Sequence, residues 1–273
     1  MAGEEKHTGA SSAIILAAVV VVVAVYMVTF GLGTLTWAGA KWTASANPWV
    51  REVPQPLPAP PVAPQPPEAT AKSKSPRHAA APKDVTLSAY GYEFTTPWAV
   101  KYTTTADKHG GTEFRFDSGQ IIFVYDPEGQ ADMLKALTDV TSPQHDKFQT
   151  IFAGHAVSTN YALYQAVYGT SPARFSPFMG AQDAIRLNVL LNWKLSYGRD
   201  ARPGLYSFSF ANVRGLQFGN PAQGRAVAVR AFDDHDHQLR LFFTVAGGSN
   251  AKLSQDEISS VLASLRIAPL AGS

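Results

Sequence analysis

The chain has 273 residues, of which only 16% are charged, and a formal net charge of +2. It contains no cysteine, which excludes disulfides, thiolate metal sites, iron–sulfur ligation and a cysteine nucleophile. From Asp84 onward 16 Lys and Arg stand against 17 Asp and Glu, so this part lacks the clustered basic excess of a nucleic-acid-binding face.

Residues 1–12 read as a short polar tail. The first element is the apolar stretch 13–35, AIILAAVVVVVAVYMVTFGLGTL, and no charged side chain stands between His7 and Lys41. About 20 such residues cross a bilayer's hydrocarbon core. A valine run is a mediocre helix in water, but lipid offers the backbone no partner except itself. Trp37, Trp42 and Trp49 follow as interfacial aromatics would. The stretch is read as a transmembrane anchor whose partner, through residues 13–35, is the lipid bilayer.

A cleaved signal peptide is the rival reading, since Ala38-Gly39-Ala40 fits the small-residue cleavage pattern. Against it, the apolar region exceeds the usual length of about 7–15 residues, and Glu4 and Glu5 spoil a basic flank. Counting Lys6 against Lys41 and Arg51 decides little about orientation. A short tail, one span, a spacer and a folded domain is the layout of bacterial envelope proteins whose domain lies outside the cytoplasm. That side is expected, with a cytoplasmic domain as the alternative.

Residues 36–83 read as an interfacial segment followed by a Pro-rich and then basic linker. Eleven of the 19 prolines fall between Pro48 and Pro82. Such a run favours extended polyproline II, at about 3.1 Å per residue, and is read as a disordered spacer holding the domain off the bilayer. Pro58, Pro61, Pro64 and Pro67 have SH3-ligand spacing, which so dense a run produces by itself. Lys72, Lys74, Arg77, His78 and Lys83 are read as a solvated hinge, with anionic lipid as the alternative contact. The layout resembles the TonB type of energy-transducing protein, but the span carries no charged group to couple to a motor, and that function is not carried over.

Residues 84–268 read as one α+β domain and 269–273 as a tail. VTLSAYGYEFTTP, VKYTTTA, TEFRF and QIIFVYD have the β-branched and aromatic alternation of strands, with turns at His109-Gly110-Gly111 and Ser118-Gly119. Helices are expected over Asp132–Val140, Lys147–Ala153, Asn160–Tyr168 and Asp183–Leu195, the last as the most apolar and buried on most sides. Strands resume in LYSFSFANV, RAVAVRAF and LRLFFTV, punctuated by Asn220-Pro221 and the acidic turn Asp233–His237. Ser254 and Glu257 form a capping box before Ile258, Val261, Leu262 and Leu265, the signature of a closing helix. The pattern predicts an antiparallel sheet covered by helices.

Tyr90-Gly91-Tyr92-Glu93-Phe94 with Pro97-Trp98, and the closing Ile258–Arg266 ending in Ala263-Ser264-Leu265-Arg266, resemble the Mog1/PsbP-like fold. That resemblance implies an antiparallel sheet sandwiched between helices, in a family whose members mostly dock onto other proteins. The helical middle, from about Glu128 to Gly204, departs from the pattern. No functional residue transfers.

Catalytic constellations are scarce, and no catalytic residue or cofactor site is assigned. Ser249 in GGSNA lacks the G-x-S-x-G frame, and Ser249-x-x-Lys252 has no K-T-G companion, so a Gly/Ser/Asn turn is the better reading. Asp234, His235, Asp236 and His237 are the only dense cluster of candidate metal ligands, although a hairpin tip favours the same residues on solvent grounds. His155, among apolar residues, is expected to be partly buried. Pro172 and Pro177 interrupt the connection Gly169–Gly180, where Arg174, Phe175, Phe178 and Met179 make it unexpectedly apolar. Two readings follow for it: local core against Asp183–Leu195, or a contact lip with Arg174 as its polar anchor. The expected function is a membrane-anchored interaction domain with a protein partner; a tethered envelope hydrolase is the alternative.

Overall fold

The computed structural model describes residues 8–57, 84–98, 101–107, 110–125, 133–141, 145–152, 155, 157–197, 204–224 and 226–267. The SH3-like prolines from Pro58, the basic run to Lys83, His109 and the tail 269–273 lie outside the described residues. The chain is α+β and divides into two compact units: Met1–Glu52 with Asp146–Ala156 and Ala166–Arg199, and Val53–His145 with Val157–Gln165 and Asp200–Ser273.

The first unit is helical. Helix α1 runs from Thr8 to Ala46, and its segment from Val19 onward is the one candidate membrane span among the described residues. The helix therefore continues through Trp37 and Trp42, which sequence alone placed beyond its end. A 3-10 turn, Pro48–Arg51, follows, with proline where a helix start has no donor to lose. Helix α5, Ala181–Tyr197, packs against the second half of α1. The cluster between them comprises Ala40, Ala44, Val50, Phe175, Leu187 and Leu191, with Trp37, Trp49, Met179 and Leu195 partly buried around it. Trp37 and Trp49 thus serve this cluster, and Trp42, 75% exposed, remains outward. Small residues on α1 let the helices approach closely. α5 is amphipathic rather than buried on most sides: Ala184, Leu187, Leu190 and Leu191 are buried, while Asp183, Asn188 and Asn192 on its other face are exposed. Helix α3, His145–Phe152, contributes Phe152, stacked on Trp193 of α5.

The second unit is built on sheets. Strands β1 (Gln55–Pro56), β4 (Tyr102–Asp107), β5 (Gly111–Phe116), β6 (Gln120–Tyr125), β7 (Leu205–Ser209), β8 (Arg214–Phe218), β9 (Ala226–Phe232) and β10 (Gln238–Val245) form an eight-stranded sheet in the order β1-β7-β8-β9-β10-β6-β5-β4. All its pairings are antiparallel except β1 with β7. Strands β2 (Val85–Ala89), β3 (Tyr92–Thr96) and β11 (Arg266–Ile267) form a second, antiparallel sheet. On β9 and β10 the alternation holds as read: Val227, Val229, Ala231, Leu239, Leu241, Phe243 and Val245 are buried in one core. Ile258, Val261 and Leu262 of helix α6, Gln255–Ser264, enter the same core, and both bonds of its capping box are present.

Sequence alone made residues 36–83 a linker. Its described part is not one: Val50 is fully buried, and Gln55–Pro56 pair with Tyr206–Ser207. An edge strand tolerates Pro56 because its outer side needs no donor. Both β1 and β2, on either side of the Pro-rich run, belong to the second unit. The folded residues of the second unit therefore begin before the Pro-rich run, at β1, and not after it.

Candidate functional site

The connection Gly169–Gly180 joins helix α4, Asn160–Tyr168, to α5. Its apolar residues divide. Phe175 is 5% exposed within the α1–α5 cluster, and Met179 packs at the edge of that cluster. Phe178 points elsewhere: it is 66% exposed, and its ring meets Tyr26 and Phe30 of α1 edge-on at 6.1 and 6.3 Å between centroids. Arg174 is exposed and ends a 3-10 turn, Pro172–Arg174. The Tyr26 and Thr34 hydroxyls lie 2.7 Å apart, and both reach the Pro177 carbonyl oxygen at 3.2 Å. The loop thus splits its apolar residues: Phe175 and Met179 go to the local cluster, and Phe178 is exposed beside α1.

Beside this loop a hollow of about 470 Å³ is lined by Lys41, Ala44, Ser45 and Arg51 together with Ser171, Pro172 and Ala173 of the loop. The Lys41 ammonium also sits 3.9 Å from the centre of the Trp37 ring.

Lys194 follows Leu187 and Leu191 along one stripe of α5. It is fully buried, and its Nζ donates to the carbonyls of Val50 (3.1 Å), Glu52, Tyr168 (3.0 Å) and Thr170 (2.8 Å). Burial pulls its pKa down from 10.5 to about 8, against the upward pull of the Glu52 carboxylate. Sequence reasoning missed this residue, although a signal was present. Ala184, Leu187, Leu191 and Lys194 follow one helical stripe, so a lysine stood on the apolar face.

The His/Asp turn belongs to the second unit, and its carboxylates are used inside the protein. Buried Asp233 accepts from the backbone N–H of His235 (2.8 Å) and His237 (2.9 Å), from the Tyr92 hydroxyl (3.0 Å), and lies 3.2 Å from His237 Nδ1. Burial, with Asp233 beside it, pushes the Tyr92 phenol well above its ordinary range. Asp236 accepts from the N–H groups of Asn160 and Tyr161, which caps the start of α4 from a distant turn. His235 and His237 stack at 5.9 Å, and Asp234 is exposed. Among the described residues no three His, Cys, Asp or Glu side chains are gathered as a metal site.

His155 is exposed rather than partly buried. Ser249 Oγ accepts the Ala251 N–H at 2.9 Å, so it closes a turn between strand β10 and α6. No known family model matches the chain, and no curated protein matches its sequence.

Proposed function

We propose that this chain is a single-pass membrane protein whose α+β body serves as an interaction module for a protein partner, on the outer face of a bacterial cytoplasmic membrane. The observation that carries the reading is the asymmetry of α1. From Val19 to Val25 its apolar side chains are exposed, whereas from Ala40 onward its small residues are buried against α5. An exposed valine run of this length is at home in hydrocarbon and costly in water. The near-neutral folded part and the Mog1/PsbP-like resemblance at its two ends support a docking role.

Alkaline carbonate extraction tests the anchor: the full chain stays with the membrane pellet. The absence of native cysteine makes the side measurable through one engineered thiol. Val140→Cys, at a site 79% exposed, reacts with an impermeant maleimide in spheroplasts without lysis. Labelling only after lysis assigns the domain to the cytoplasm. Crosslinking in native membranes followed by mass spectrometry identifies the partner.

A further inference from the structure

The apolar stretch has more residues than a bilayer needs, and the loop on α1 indicates which of them the bilayer covers. A hydrocarbon core of roughly 30 Å takes about 20 helical residues. Counted from Thr8, where α1 begins, that length of about 20 residues ends at Met27. This is also the turn where the rest of the protein first touches the helix: Tyr26 meets Phe178 and Pro177, and although Val28 is 88% exposed, Gly31 and Gly33 are buried. Phe178 lies against Tyr26 and Phe30, at the depth where bare helix gives way to covered helix. Placing the core at 13–35 instead would set Phe178 deeper still, never in water.

The backbone of the loop tip suits that depth. Irregular backbone is tolerated in lipid only where its polar groups find partners inside the protein. Pro177 has no N–H to satisfy, and its carbonyl is met by the Tyr26 and Thr34 hydroxyls. The Phe178 N–H donates to Ser176 Oγ at 3.2 Å, and the Met179 N–H to the Ser176 carbonyl at 3.2 Å. Gly33 makes the close approach possible, because a Cβ there would stand 2.5 Å from the Met179 carbonyl oxygen.

We propose that the tip Ser176–Met179 is a second membrane contact, in which Phe178 is immersed in the lipid at the hydrocarbon–headgroup boundary beside α1. The ligand is the bilayer itself. This rests on the reading of α1 as a span, and it fixes both the depth of the helix and the side of it that faces the loop. A lone helix can slide and rotate in a membrane, and an aromatic contact off its axis opposes both.

Single-cysteine variants Val28→Cys, Phe178→Cys and Val140→Cys test it. Each is spin-labelled in the full chain and placed in vesicles of phosphatidylcholine with one quarter phosphatidylglycerol. Collisions with oxygen, which concentrates in lipid, are compared with collisions with a water-soluble nickel chelate. We expect residues 28 and 178 to favour oxygen and residue 140 to favour nickel. A nickel-favouring label at 178 beside an oxygen-favouring label at 28 overturns the loop contact and leaves the anchor intact. A nickel-favouring label at 28 overturns the anchor, and the loop contact with it. Gly33→Ala in the Phe178→Cys background should shift position 178 towards nickel while 28 is unchanged in its own Gly33→Ala background. An unaltered 178 refutes the seating of the loop through Gly33.

Discussion

Lys194 has three N–H groups and four carbonyls around it, so its ammonium is a junction between the turn after α1, the end of α4 and α5. Replacing it by methionine keeps the apolar stem and strands the carbonyls, each of which costs about 1–3 kcal/mol when left unpaired. Lys194→Met should therefore lose about 3 kcal/mol or more near neutral pH, read by denaturant unfolding. The pH dependence has a definite sign. The native lysine releases its proton from about pH 8, while the unfolded one holds it to about 10.5. Between these values the unfolded state binds more protons, so the wild type gains stability relative to Lys194→Met as pH rises through that window. Phe175 and Phe178 form a second contrast. Phe175→Ala empties a buried position and should cost about 3–5 kcal/mol, whereas Phe178→Ala in detergent should change stability by well under 1 kcal/mol. Equal losses would mean that the two rings share one environment.

At the scale of elements, α4 depends on a turn some 75 residues further along the chain. Asp236 supplies the carboxylate that caps α4, and it does so from a left-handed conformation, φ 64°. The two effects separate by substitution. Asp236→Gly removes the cap and tolerates the φ, at a cost of about 1 kcal/mol. Asp236→Ala removes the cap and adds roughly 1–2 kcal/mol of backbone strain. Helicity near Asn160, followed by hydrogen exchange, should fall in both.

This long-range cap also shows why the turn was only half legible in the sequence. Asp233–His237 was readable as a turn from its composition, but the Asn160 N–H that Asp236 serves stands 76 residues away. Strand alternation in β9 and β10 and the Ser254 box were readable because their partners are local, at a spacing of two residues or three. β1 was hidden because a two-residue edge strand at Pro56 carries no periodicity at all. The split of Phe175 from Phe178 was equally invisible, since neighbouring apolar residues in a loop look alike until something packs on one of them.

For the molecule as a whole, the division expected at Asp84 cuts through packed structure. α1 and Val50 share a core with α5, and β1 extends the larger sheet. A fragment starting at Asp84 would uncover Phe175, Leu187 and Leu191 and leave Lys194 without two of its four acceptors. We expect that fragment to aggregate or to show reduced cooperativity in thermal melts. A chain starting after residue 35, which keeps Ala40, Ala44 and the Val50 turn, should remain soluble and melt cooperatively.

The placement of β1 and β2, on either side of the Pro-rich run, in one unit makes this protein a candidate for fragment complementation. A protease site inserted between residues 58 and 83 would give two polypeptides, the first carrying α1, Val50 and β1, the second nearly everything else. Because the first piece is held by the α5 cluster, by the Lys194 ammonium and by β7, cleavage should leave a nicked but undissociated molecule. It would elute as one species in mild detergent and resolve into two bands in SDS. Expressed from separate genes, the same two pieces should find each other in the membrane.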